Sequence, residues 1–66
     1  MPYKTNADLP KSITEHLPDH AQSIFRKAFN NAHEEYGNEV QAFKVAWAAV
    51  KREYEKNEAG AWVKKN

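Results

Sequence analysis

Apolar positions recur along this chain at helical spacing, and turn signals divide it into five pieces. Between Pro18 and Gly37 the apolar residues are Ala21, Ile24, Phe25, Ala28, Phe29, Ala32 and Tyr36. Steps of three and four place them on one side of a helix, with Ser23, Arg26, Lys27, Asn30 and Glu34 on the other. The pattern predicts a long helix over 19–36. Asp19 and Gln22 have the spacing of a capping box. Gly37 stands where a left-handed residue ends a helix.

A second long helix is predicted over 39–56, with Asn38 and Gln41 repeating the cap spacing. Lys44, Ala48, Lys51 and Glu55 share one narrow face. Almost everything else from Val40 to Tyr54 is apolar: Val40, Ala42, Phe43, Val45, Ala46, Trp47, Ala49, Val50 and Tyr54. That arc spans roughly 200°, against about 100° for an ordinary surface helix. Such a helix needs cover on two sides, or it leaves an exposed apolar face.

The two ends of the chain are shorter elements. A short helix is predicted over 9–17, with Pro10 at an early position and Pro18 stopping it, because proline disfavours helical geometry in the residue before it. Residues 2–6 read as extended, as does the segment from Gly60 to Lys65. The expectation is a small antiparallel β ribbon formed by these N- and C-terminal segments, leaning on the helices through Tyr3 and Trp62. The fold class is thus α+β, predominantly helical, in a single domain over 1–66.

Composition narrows the function classes. The chain has 66 residues, no cysteine and a formal charge of +1. Disulfides and thiolate metal sites are excluded. Mean hydropathy is −0.94, yet two Trp, three Tyr and three Phe supply enough large side chains for a small core. The longest uncharged apolar run, 45–50, is far below the about 20 residues of a membrane span. The first residues lack the apolar stretch of a signal peptide. The expected location is the cytoplasm, with no membrane insertion, as a monomer.

No catalytic constellation emerges. Ser12 and Ser23 lie in ordinary helical contexts. His16 and His20 are four apart, but Pro18 between them breaks the helix that would align them as metal ligands. His33 falls at the edge of an apolar stripe, where it packs as a half-buried side chain. The reading is a non-enzyme with no cofactor and no metal. The candidate partner surface is Lys44, Lys51, Glu53, Glu55, Lys64 and Lys65. Glu53 is distinctive because it projects into the apolar arc of its helix and needs a partner or a solvated position.

Three blocks carry a resemblance. They are Met1-Pro2-Tyr3-Lys4-Thr5 leading to Asp8-Leu9-Pro10; Leu17-Pro18-Asp19-His20-Ala21-Gln22 leading to Ala28-Phe29-Asn30; and Ala42-Phe43-Lys44-Val45-Ala46-Trp47 with Ala49-Val50-Lys51 leading to Tyr54. In order and spacing they resemble the ChaB family, and Trp62 fits its C-terminal end. The resemblance implies a helical core with a small β element. It also implies regulation of a cation (Na+/Ca2+)/proton antiporter of the ChaA type through protein contact. It carries over no catalytic or ligand-binding residue. One departure is the short connection at 34–39, where some relatives are longer and more charged. The alternative reading is a nucleic-acid-binding accessory protein whose Lys44, Lys51, Lys64 and Lys65 meet phosphates, although a net charge of +1 attracts polyanions weakly.

Overall fold

The computed structural model describes residues 3–65. A 3-10 turn at Asn6–Asp8 leads to α1 (Lys11–Thr14), α2 (Asp19–Tyr36) and α3 (Glu39–Glu53), then to strands β1 (Tyr54–Lys56) and β2 (Trp62–Lys64). The two long helices form an antiparallel hairpin. Its tight connection works because Gly37 takes φ 65°, a left-handed conformation, and its N–H bonds the carbonyl of His33. Asn38 then caps α3, its Oδ1 accepting from the Gln41 N–H at 3.1 Å, as its spacing predicts.

The core forms where the two apolar stripes meet. Phe25 and Phe29 are fully buried, and the alanines facing them, Ala42 and Ala46, are too. Small side chains on α3 let the phenyl rings of α2 fill the seam. Phe29 meets Phe43 edge-on at 4.9 Å, and Phe25 meets Trp47 edge-on at 5.4 Å. Leu9, Ile13 and Leu17, from the segment around α1, are buried with them and join the same core.

Four features differ from the pattern-based expectation. The first helix is shorter, Lys11–Thr14 rather than 9–17: Pro10 sits outside it as cap, and 15–17 form a turn. At the start of α2, the Gln22 side chain does not close a box with Asp19. It donates instead to the carbonyls of Leu17 at 2.7 Å and Thr14 at 3.2 Å, tying α2 to the turn before it. The predicted helix over 39–56 stops at Glu53, because Tyr54 turns extended (φ −128°, ψ 154°) and drives its ring into the core.

The ribbon exists, but its strands are β1 and β2, with register Tyr54↔Lys64, Glu55↔Val63 and Lys56↔Trp62. The N-terminal segment is not part of it. Tyr3 lies beside Phe29 and Asn30, whereas Tyr54 lies beside His20. Ten residues of α2, roughly 15 Å of helix rise, separate those places. The local alternative is a hairpin over Asn57–Ala61: the Asn57 N–H bonds the Ala61 carbonyl at 2.8 Å, its Oδ1 takes the Ala61 N–H at 2.9 Å, and Gly60 has φ 85°. Pro2, at the start of the predicted extended segment, lies outside the described residues.

Candidate functional site

The wide apolar arc of α3 is covered from two directions. α2 takes one side. On the other, Trp62 of β2 lies over Trp47, with ring centroids 5.5 Å apart. Both indoles remain half-buried, so each keeps an exposed edge. Lys44 and Lys51 stand a turn before and a turn after Trp47. At 100° per residue they fall on its outward side, and both are exposed.

The ribbon sorts the remaining charges by strand alternation. Directly paired residues share a face, and successive residues alternate. Tyr54, Lys56, Trp62 and Lys64 therefore occupy one face, with Tyr54 buried. Glu55 and Val63 occupy the other. The Lys65 N–H bonds the Glu53 carbonyl at 2.8 Å, which ties the end of β2 to the last residue of α3.

The six candidate residues are thus divided. Lys44 and Lys51 flank Trp47 on α3, and Lys64 shares the ribbon face of Trp62; Glu55 lies on the other face of the ribbon, Lys65 just beyond β2, and Glu53 at the end of α3. Among the described residues the ion pair present is Lys11 with Glu15, so the cations of α3 and the ribbon are unpaired. Glu53, which the helical wheel places in the apolar arc, is exposed because α3 ends there. It borders a shallow open depression shared with Ile24, Ala49 and Arg52.

The histidines hold structural contacts. His16 Nδ1 is 2.6 Å from the Ser12 carbonyl, and His20 Nδ1 is 3.0 Å from the Tyr54 hydroxyl. His33 stacks on Phe29 at 6.0 Å, half-buried as its place at the stripe's edge predicts. Among the described residues no group of three His, Cys, Asp or Glu side chains is placed to hold a metal. Among the described residues no helix is long and apolar enough to cross a membrane. At the far end of the hairpin, burial and the nearby Glu39 carboxylate push the Tyr3 phenol above its ordinary pKa.

Sequence reasoning placed Trp62 against the helices, but it missed Lys56 and the strand that pairs with Trp62. The signal was present: Asn57 and Gly60 mark a hairpin turn, and pairing across it brings Lys56 opposite Trp62. Continuing the helical period through Tyr54 concealed it.

These features define a small α+β domain, a helical hairpin with a β ribbon, whose distinctive chemistry lies on an exposed surface of tryptophans and lysines. The ChaB family profile matches residues 9–65, and the chain belongs to the ChaB family. A relative from Escherichia coli strain K12, named "Putative cation transport regulator ChaB", is 47% identical over 76 aligned positions, covering all of both chains. A relative of the same name from Shigella flexneri matches equally. An NMR solution structure of the putative cation transport regulator ChaB, also 47% identical, superposes with a TM-score of 0.88 over 98% of this chain and all of that one. An alignment of 76 positions over 66 residues leaves ten without a counterpart here.

Proposed function

We propose that this protein is a non-catalytic interaction module that regulates a cation/proton antiporter of the ChaA type from the cytoplasm, acting as a monomer. The observation that carries the reading is the full-length match, at 47% identity, to proteins whose name is that of a cation transport regulator. The surface supports it. Trp47 and Trp62 supply aromatic area of the kind enriched in protein contacts, and the exposed Lys44, Lys51 and Lys64 supply a charged rim around them. Glu53, at the end of α3, and Glu55 and Lys65 of the ribbon extend that rim.

The test is antiporter flux in inverted membrane vesicles, with and without the purified protein. Wild type alters flux, and the double variant Lys44→Glu with Lys51→Glu does not, while its helical spectrum is unchanged. Flux that ignores the wild-type protein removes the reading. Glu53→Gln tests the rim: unchanged stability and unchanged binding would take Glu53 out of the contact.

A further inference from the structure

A two-stranded ribbon has two edges, and the N–H groups along the edge of β2 have no partner among the described residues. The bonds between Asn57 and Ala61 and between Lys65 and Glu53 fix which residues turn their backbone groups inward. Along β2 these are Ala61, Val63 and Lys65; Trp62 and Lys64 must then turn N–H and C=O away from β1. On the β1 side, the outward N–H of Tyr54 is used by the Val50 carbonyl at the end of α3, which leaves the single outward N–H of Lys56. On the β2 side, neither the Trp62 nor the Lys64 N–H has a partner among the described residues.

We propose that this open edge of β2 accepts an extended acidic segment of a partner protein as a third strand. Three observations converge. The free N–H and C=O groups alternate at strand spacing, which a peptide backbone matches. Phosphates offer no donors for the two carbonyls, so a nucleic acid leaves half of the edge unsatisfied. Charge selects the acid: from Lys44 onward there are six cations and three glutamates, and Glu55, the one glutamate within the two strands, points to the other face. Val63, 39% exposed, supplies an apolar contact on that other face. The fitting segment therefore alternates acidic with apolar residues, its acids on the Trp62 and Lys64 side. Lys64 at the edge also disfavours pairing with a second copy of this chain, which brings its own lysine.

The inference rests on the interaction-module reading but does not require an antiporter as partner. The experiment titrates the full chain with a short synthetic peptide alternating glutamate and valine, followed by amide NMR and hydrogen exchange. The expected result is that Trp62 and Lys64 amides, fast to exchange in the free protein, become protected. Replacing glutamate with glutamine, or Lys64→Glu in the protein, weakens binding about tenfold. N-methylation of alternate peptide residues, which leaves the protein untouched, weakens it about tenfold as well. Absence of binding, equal binding of the N-methylated peptide, or tighter binding of a single-stranded oligonucleotide overturns the proposal. Peptide binding without any effect on vesicle flux leaves it standing and removes the regulator reading instead.

Discussion

The side chain of Asn30 holds the backbone of Tyr3 at both of its polar groups: Nδ2 donates to the Tyr3 carbonyl at 2.7 Å, and Oδ1 accepts from the Tyr3 N–H at 3.2 Å. A carboxamide on α2 thereby does for the N-terminal segment what a neighbouring strand does in a sheet. The Tyr3 ring is fastened onto Phe29, 4.9 Å away. Each such bond contributes about 0.5–1.5 kcal/mol net. Asn30→Ala is expected to lower stability by about 1–3 kcal/mol on that basis and to release the Tyr3 amide to exchange. An unchanged denaturation midpoint would show that the clasp adds nothing to the fold.

Tyr3 also makes the fold sensitive to alkali. Burial first, and the Glu39 carboxylate second, raise its phenol pKa in the folded chain. A group whose folded pKa lies above its unfolded value contributes stability that is complete below the unfolded value and lost as pH rises through the folded one. Stability therefore declines above the ordinary tyrosine range near about 10. Tyr3→Phe is expected to flatten that decline, and Glu39→Gln to make it smaller, because it brings the folded pKa of Tyr3 closer to the unfolded one. Denaturation midpoints measured across the alkaline range check both; a decline identical in Tyr3→Phe would assign it to other groups.

Gly37 tests the connection between the long helices. Its φ is 65°, and a Cβ added there meets nothing within 4 Å. Only backbone strain remains, about 1–2 kcal/mol for an L-residue in the left-handed region. Gly37→Ala is expected to cost that amount. Gly37→Asn should cost less, because asparagine tolerates this conformation. Equal midpoints for the wild type and the alanine variant would contradict the assignment.

Trp62 is the anchor of the ribbon. Removing it as Trp62→Ala takes away an aromatic pair worth about 0.5–1.5 kcal/mol beyond its buried area. The β hairpin then frays, since two strands alone are marginal in water. Helical content should persist, because the seam is built from Phe25, Phe29, Ala42 and Ala46 of α2 and α3, and Trp62 packs against it only as a partly buried side chain. Far-ultraviolet circular dichroism and amide exchange separate the two effects. Loss of helix together with the ribbon would mean the domain unfolds as one unit.

Phe25→Ala probes that seam directly. Deleting a fully buried phenyl ring costs about 3–5 kcal/mol. At about 0.05–0.15 kcal/mol per residue, the whole domain has a stability of only roughly 3–10 kcal/mol. The variant is expected to be largely unfolded or held at the edge of folding, read from its thermal transition. A transition within a few degrees of wild type would place the core elsewhere.

The sequence by itself determined the helical hairpin. The stripe from Ala21 to Tyr36, the Asx cap at Asn38 and the glycine at 37 are local signals: each acts within one or two turns of its own position, and α2 has the bounds they predict. The outward sides of Lys44 and Lys51 were legible for the same reason. The partners of the terminal segments were not, because two extended segments of similar composition pair with whatever the helices bring near them. Tertiary structure decided that Tyr3 goes to Asn30 and that Trp62 goes back over Trp47. It also decided that α3 ends at Glu53, since burying the Tyr54 ring and pairing 54–56 with 62–64 outweigh one more helical turn. That single change of period, from helical to alternating, carries Glu55 and the lysines at 56 and 64 to opposite faces of the ribbon.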